Sequence, residues 1–251
     1  MSHHLVEAVD LRYAYPDGTP ALRGVSFRIT HGEAVAVVGE NGAGKSTLLQ
    51  HLNGCLLPSA GTLLVGDYAI TRATLPAVRR AVGMVFQDPD DQLFMPTVFD
   101  DVAFGPLHLG LTPDDVRRRV DEALATVGAA HLADRPPYRL SGGEKRAVAI
   151  ATVLAMQPDI LVMDEPTASL DPRSRRRVIE LLRSFRHTKI IATHDLDMAL
   201  DVCPRALVMH RGVVRADGPA VDLLRDDALL AECGLERPLR LQACPVCRQQ
   251  R

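Results

Sequence analysis

The stretch that most constrains this chain is AVAVVGENGAGKSTLLQHLN, Ala34 to Asn53. Its first five residues are all Ala or Val, which is typical of a strand buried on both faces of a parallel sheet. Gly39 to Ser46 then fits the pattern G-x-x-x-x-G-K-[ST] at every fixed position. Leucines follow at helical spacing. Strand, glycine loop and helix therefore stand in the order that a phosphate-binding loop requires.

The residue types of this loop suit a polyphosphate. Gly39, Gly42 and Gly44 let the backbone curl closely around the anion, where a Cβ would clash. The N–H groups and the positive end of the following helix then point at it. We expect Lys45 to bridge the β- and γ-phosphates and the Ser46 hydroxyl to ligate Mg²⁺. A glycine-rich turn with an incidental lysine is the alternative, and the flanking strand and helix count against it.

Composition excludes several classes of protein. The 251 residues carry a net charge of −2, from 29 basic and 31 acidic side chains, so nothing predicts a general attraction to nucleic acid. No apolar run reaches about 18 residues, and the first ten residues lack the charged and apolar regions of a signal peptide. We expect a cytosolic protein with no nucleic-acid partner, which lies against a membrane only by binding something that spans it.

Apolar runs alternate with helical patterns along the chain. Strands are predicted at about residues 5–38, 61–70, 82–86, 160–165, 189–195, 206–210 and 213–216. Helices are predicted at about residues 75–80, 98–127, 141–156 and 173–186, with Gly105-Pro106 expected to interrupt the second. This alternation predicts an α/β fold with a mostly parallel core sheet.

Two carboxylates end the apolar run ILVMDE. Asp164 is expected to hold Mg²⁺, and Glu165 to act as general base on the attacking water. Such a pair is often only a strand end. Beside a phosphate loop, the functional interpretation is favoured.

Residues 140–155, LSGGEKRAVAIATVLA, resemble the signature motif of the ATP-binding cassette (ABC) family, and the resemblance spans roughly residues 5–225. It implies an ATPase that uses ATP and Mg²⁺. The implied fold has a mostly parallel P-loop core sheet, an N-terminal antiparallel β subdomain and a helical signature subdomain at about 98–157. The domain would cover residues 5–235, followed by a tail at 236–251.

The resemblance also assigns roles to individual residues. Tyr15 matches the aromatic platform for adenine, although an ordinary β-edge tyrosine is the alternative for it alone. Gln87 matches the glutamine that senses Mg²⁺ and the membrane partner, and His194 the switch histidine that contacts the γ-phosphate. The implied catalytic residues are Glu165, His194 and Gln87. The implied phosphate-loop contacts are Gly39, Asn41, Gly42, Gly44, Lys45, Ser46 and Thr47, and the implied Mg²⁺ ligands are Ser46, Gln87 and Asp164.

Three more residues are implied to act across a dimer interface. Ser141 and Gly143 of one subunit would close on the nucleotide of the other, and Ser141 also reads as the N-cap of a helix that begins at Gly142. Asp171 lies in the loop that crosses between subunits. Within that loop, Ser169 stands where the family usually has glycine.

Two further stretches, residues 15–27 and 82–111, resemble the ATPases of energy-coupling-factor transporters, and the signature region is close to the cobalt and nickel importers. The resemblance implies a peripheral subunit at the cytoplasmic face of the membrane. Its partners would be a second ATPase subunit (another copy or a paralogue), a transmembrane energy-coupling subunit and a substrate-binding membrane subunit. The polar segment Asp88 to Phe94 is expected to form the docking groove, with a surface loop as the alternative.

Several alternatives stay open. The chain resembles the ATPases of vitamin importers of the same class nearly as well, and a soluble ABC protein without a transport role is a further possibility. A P-loop kinase or GTPase is disfavoured by the signature and by the absence of N-K-x-D.

The tail contains Cys244-Pro-Val-Cys247, which has the spacing of half a zinc site. Cys233 would join it if the tail folds back, and a loose reduced tail is the alternative. His3-His4 is a weak candidate metal binder.

Overall fold

Strand β3 (Ala34–Gly39) lies at the centre of the computed structural model, which describes residues 6–242. All six of its residues are buried. Ala36 packs into an apolar core on one face of the sheet, whereas Val35 and Val37 pack into a second core on the other face. One apolar run therefore serves two cores, as predicted for a strand inside a parallel sheet.

A six-stranded sheet surrounds β3 in the order β10-β9-β3-β8-β7-β6. All its neighbouring pairs are parallel except β10 with β9. The strands are β6 Val82–Val85, β7 Ile160–Asp164, β8 Thr188–Ala192, β9 Arg205–His210 and β10 Val213–Pro219. Because β3, β6, β7 and β8 run in one direction, their carboxyl ends meet at one edge, where open α/β sheets place their ligands.

A second sheet, formed by the N-terminal part of the chain, has the order β2-β1-β4-β5 and is antiparallel throughout. Its strands are β1 Val6–Ala14, β2 Pro20–Ile29, β4 Ala60–Val65 and β5 Tyr68–Ala69. Apolar residues from this sheet and from the helix after β3 share one of the two cores. The predicted α/β fold, with its parallel core and antiparallel N-terminal sheet, is confirmed.

Seven of the nine α-helices between residues 6 and 242 precede β10 along the chain, and the last two follow it. The nine are α1 Lys45–Leu52, α2 Leu75–Ala81, α3 Val98–His108, α4 Pro113–Thr126, α5 Gly142–Leu154, α6 Pro172–Ser184, α7 Leu196–Val202, α8 Ala220–Leu223 and α9 Asp227–Glu232. The insertion between β6 and β7 contains α3, α4 and α5. Each of these three begins at a hydroxyl side chain that accepts a hydrogen bond from the first turn, namely Thr97, Thr112 and Ser141.

The expected break at Gly105-Pro106 is wrong, because α3 continues through both residues to His108. Pro106 removes one backbone donor, but it lies in the last turn, where only two more residues follow. Gly110, at φ +76°, then turns the chain. The helix therefore ends just beyond the proline rather than at it.

Ser169 adopts φ +59°, in the left-handed region that glycine enters at no steric cost. This backbone accounts for the glycine that the family usually has at that position. Between residues 6 and 242, no helix combines the length and the apolar character needed to cross a bilayer.

Candidate functional site

The phosphate loop connects the end of β3 to the start of α1. Its Lys45 side chain is buried and folds back over the loop, where Nζ donates to the carbonyl oxygens of Gly39 (2.8 Å) and Glu40 (3.0 Å). Gly44 has φ +101°, and a Cβ there would lie 2.7 Å from the Ala21 carbonyl oxygen. The loop therefore needs glycine at this position, and its lysine is held against the loop backbone.

Lys45 lies in a cluster of buried charges. Burial lowers the pKa of its ammonium group from the usual 10.5, and the carboxylates of Glu165 and Asp164 oppose that shift. Both carboxylates are at the end of β7, one strand beyond β8. The order of the strands in the sheet brings the phosphate loop close to the two strand-end carboxylates, as predicted.

Asp164 has the surroundings of an incomplete cation site. Its carboxylate is buried, so desolvation raises its pKa, while a hydrogen bond from the Ser46 hydroxyl lowers it. Its Oδ1 atom is enclosed and has no hydrogen-bond partner in the protein. Oxygen ligands of this kind, a carboxylate and a hydroxyl, suit Mg²⁺. The two residues therefore fit the metal that the sequence predicts.

Glu165 is held by the end of the neighbouring strand. Its Oε2 atom accepts hydrogen bonds from the Thr193 hydroxyl (3.1 Å) and the His194 backbone N–H (3.2 Å), and it lies 2.8 Å from Nδ1 of the His194 ring. Its backbone adopts φ +47°, which is uncommon outside glycine. The His194 ring itself is largely exposed, so the pair joins a buried carboxylate to an accessible imidazole.

A cavity of about 690 Å³ opens over this edge of the sheet. Its walls bring together Tyr15, Gln87, Glu165 and His194 with the phosphate loop. Its phosphate-loop lining consists of Gly39, Glu40, Asn41, Gly42, Gly44, Lys45, Ser46 and Thr47. The volume lies within the range of small-molecule and cofactor sites.

Tyr15 stands at the mouth of the cavity. Its hydroxyl lies 2.8 Å from the Thr47 hydroxyl, and its ring meets the edge of Tyr13 at 5.2 Å between centroids. Tyr13 in turn meets the buried His51 ring. These contacts fix the orientation of Tyr15, so an exposed aromatic face is held beside the phosphate loop.

Ser141, Gly143 and Asp171 do not line this cavity. Ser141 caps α5 through a capping box with Glu144, which confirms its predicted structural role. Together with Gly143 it lines a separate groove between α5 and α6. Asp171 caps α6. The three residues expected to act across a dimer interface are therefore apart from the nucleotide cavity of their own chain.

The segment after Gln87 contains a short 3₁₀ turn, Pro89–Asp91, and leads to an exposed aromatic patch. The patch consists of Phe94, Phe104 and His108, with ring centroids 5.1 Å apart for the first pair and 4.1 Å for the second. Phe94 is 63% exposed. Beneath it, buried Asp101 accepts hydrogen bonds from the backbone N–H groups of residues 94 and 95.

Some residues around the site carry no motif and were missed. Gly234 and Leu235, from the C-terminal segment, line the nucleotide cavity. Arg175 on α6 makes two hydrogen bonds (2.7 and 2.9 Å) to Asp195, the residue after His194. Long-range pairs of this kind follow from tertiary structure and have no local sequence signal. The charge pattern of α6 was the one available hint, and it favoured a solvated helix face.

Metal-ligand spacing elsewhere adds no second site. Within the described residues, no group of three or more His, Cys, Asp or Glu side chains could hold a metal ion. Cys233 is buried as a free thiol. The predicted half zinc site, Cys244 with Cys247, and the His3-His4 pair lie outside the described residues.

Known proteins resemble this chain over most of its length. The family profile described as ABC transporter matches residues 22–168. A Geobacter sulfurreducens protein provisionally named an ABC transporter ATP-binding protein is 67% identical over 247 residues, which are 98% of this chain and 99% of that one. The energy-coupling factor transporter ATP-binding protein EcfA of Methanothermobacter thermautotrophicus is 46% identical over 239 residues, covering 93% of this chain and 77% of that one.

Two solved structures agree with the fold. cbiO1 of Clostridium perfringens, described as part of the ABC transporter complex cbiONQ, has a TM-score of 0.80 and 41% identity, and the match covers 92% of this chain and 94% of that one. The ATP-binding cassette MJ0796, solved as a dimer bound to ADP and Pi, has a TM-score of 0.78 and 27% identity, covering 86% of this chain and 98% of that one.

Proposed function

Because the chain belongs to the ATPases of the ABC transporter family, we propose that it is the ATP-hydrolysing subunit of an energy-coupling-factor importer for cobalt or nickel ions. The observation that carries the ATPase mechanism is the cavity in which Lys45, Glu165 and His194 meet. The similarity to EcfA and to cbiO1 supports the importer class.

Each group in the cavity has a distinct task in this proposal. The loop N–H groups and Lys45 bind the β- and γ-phosphates, and the Tyr15 ring stacks on adenine. Glu165 takes a proton from the attacking water, and His194 holds that carboxylate and contacts the γ-phosphate. Ser46, Asp164 and Gln87 hold Mg²⁺, which neutralises charge on the phosphate oxygens when bound.

The working unit is a head-to-tail dimer with two ATP molecules between the chains. In this arrangement Ser141 and Gly143, at the start of α5, offer helix N–H groups to the γ-phosphate on the opposite subunit. The second subunit is another copy or a paralogue. The dimeric ATP-binding cassette bound to ADP and Pi supports this arrangement.

The membrane partner docks at the aromatic patch and the acidic segment beside it. Phe94 supplies an exposed apolar surface, and Asp91 supplies a carboxylate that would meet a basic residue on a helix of a transmembrane subunit. Gln87 lines the nucleotide cavity and begins this segment. A change at the nucleotide is therefore transmitted from Gln87 to the docking surface through the few residues that separate them. A membrane subunit that binds the ion completes the importer.

Copurification tests the docking surface. Asp91→Arg with Phe94→Ala should abolish association with the transmembrane subunit and uptake of Co²⁺ or Ni²⁺ by cells, while ATP binding by the chain survives. Asp67→Arg with Tyr68→Ala, an exposed acidic and aromatic pair at the β4–β5 turn, is the matched control and should copurify normally. A docking double mutant that still copurifies places the docking site elsewhere. If cells that lack the protein still take up both Co²⁺ and Ni²⁺, the metal assignment is wrong. Vitamin uptake is then the next activity to measure.

A further inference from the structure

Side-chain hydrogen bonds join helix α5 to the segment from Phe86 to Gln92. Lys145 Nζ lies 2.6 Å and 2.9 Å from the two carboxylate oxygens of Asp90. In the other direction, Gln92 Nε2 donates to the Ala149 carbonyl (2.8 Å) and to the Thr152 hydroxyl (2.7 Å). The Gln92 side-chain oxygen also accepts from the Phe86 N–H. These contacts hold the segment between the nucleotide cavity and the docking surface against α5, which contains most of the signature motif and is the signature helix below.

Arg146 makes the innermost of these contacts. Its side chain is 3% exposed, and its two terminal nitrogens donate to the carbonyl oxygens of Phe86 (2.8 Å) and Gln87 (2.6 Å). Both carbonyls lie just beyond the end of β6, where the ladder no longer pairs them. A guanidinium group suits this task because its planar fork presents two donors at a fixed separation.

The burial of the Arg146 guanidinium carries a desolvation cost. Desolvation lowers the pKa of its guanidinium, and its Nε atom has no hydrogen-bond partner in the protein. Asp88, Asp164 and Glu165 oppose the shift through longer-range attraction. Arg146 therefore joins α5 directly to the backbone of Gln87, a residue that lines the nucleotide cavity.

We propose that Arg146 is a positioning residue for ATP hydrolysis, which fixes the backbone of Gln87 to the signature helix so that the Gln87 side chain meets the nucleotide only when α5 is correctly placed. This inference rests on the proposed role of Gln87 at Mg²⁺. It gives the signature helix a second task besides its contact across the dimer: it orients the glutamine of its own chain.

A double-mutant cycle with Gln87 tests the proposal. Arg146→Leu should lower kcat by roughly ten- to a hundredfold, which is the cost of misplacing a reacting group by about 1 Å, while KM for ATP changes by less than about twofold. Gln87→Ala should lower kcat to a similar degree. The double variant should then be no slower than Gln87→Ala alone, because Arg146 acts through that residue.

Two further variants keep the result interpretable. Arg146→Lys retains the charge but has a single donor nitrogen in place of the fork, so its kcat should lie between those of the wild type and Arg146→Leu. If the leucine variant does not fold, Arg146→Lys replaces it in the cycle. Arg118→Leu is the matched control, since Arg118 is an exposed arginine of α4 that pairs with the surface carboxylates of Asp115 and Glu122. It should leave kcat unchanged.

The outcomes separate the two ideas. If Gln87→Ala lowers kcat and the losses of the two single variants multiply in the double variant, Arg146 does not act through Gln87, and the role of Gln87 still stands. If Gln87→Ala leaves kcat unchanged, both the role of Gln87 and the positioning role of Arg146 are wrong. Thermal melting and binding of a fluorescent ATP analogue confirm that each variant is folded.

Discussion

The phosphate-loop edge of the sheet and the start of α5 differ in how completely this chain builds them. At the sheet edge, Lys45, Asp164 and Glu165 are each 7% exposed or less, and other side chains or backbone groups hold them in place. At the start of α5, Ser141 is exposed and its hydroxyl bonds with Glu144 within its own capping box.

This difference in burial indicates which tasks one chain can perform alone. Charges that bind phosphate or move a proton are stronger in a low-dielectric pocket, and building such a pocket takes the core of a single folded unit. Helix N–H groups that close over a ligand need only be exposed and correctly aimed. We therefore expect substitutions in the buried half to impair hydrolysis itself, and substitutions in the exposed half to impair closure of the dimer.

The largest effect is expected in the buried half. Glu165→Gln should leave ATP binding intact and slow hydrolysis by at least about a hundredfold, the low end for removal of a general base. Steady-state phosphate release measures the loss, with Glu122→Gln on α4 as a surface control. Near-normal turnover in Glu165→Gln would remove Glu165 from the mechanism.

A smaller loss of activity is expected in the exposed half. Ser141→Arg places a bulky cation at the surface that should close on a second subunit, so hydrolysis should fall by about ten- to a hundredfold. ATP binding to the monomer should persist. Sedimentation of the Glu165→Gln form with saturating ATP should show a dimer, and the same form with Ser141→Arg should stay monomeric.

Ser141→Ala distinguishes the effect of losing the helix cap from the effect of blocking closure of the dimer. It loses the same helix cap as Ser141→Arg, at a cost of about 1 kcal/mol in the free energy of unfolding, without adding bulk. Equal melting temperatures with unequal dimerisation would assign the effect of arginine to the interface. If Ser141→Arg dimerises as readily as Ser141→Ala, the start of α5 is not part of the interface.

The smallest effect is one of stability. The raised pKa of Asp164 means that its ionised form is unfavourable in the folded chain without a cation. Its contribution to stability is therefore fully present below the unfolded pKa and lost as pH rises through the folded pKa. Asp164→Asn should then raise Tm at neutral pH, because the amide has no ionised form for burial to penalise.

Two comparisons check this stability effect. The difference in Tm between Asp164→Asn and the wild type should shrink as the pH is lowered towards the unfolded pKa of aspartate. Asp67→Asn, at an exposed turn, should not change Tm at either pH. A destabilised Asp164→Asn would show that the carboxylate is held favourably even without its cation.

Much of this architecture could be predicted because its signals are local. The apolar run before Gly39 and the run before Asp164 each identify a strand and the edge where it ends. The contacts of Arg146 and Arg175 could not be predicted, since each joins segments at least 20 residues apart. The helix through Pro106 was missed because a proline in a last turn costs less than one in a helix interior.

The position of β3 between β8 and β9 has a consequence for synthesis. Both neighbours are encoded roughly 150 residues later, so the wholly apolar strand emerges from the ribosome long before either partner exists. At about 5–20 residues per second, this interval lasts roughly 8–30 seconds. During that time β3 has neither of its neighbours to pair with, so its backbone donors and acceptors lack their ladder partners. The strand gains both neighbours once the chain has been synthesised to about residue 210.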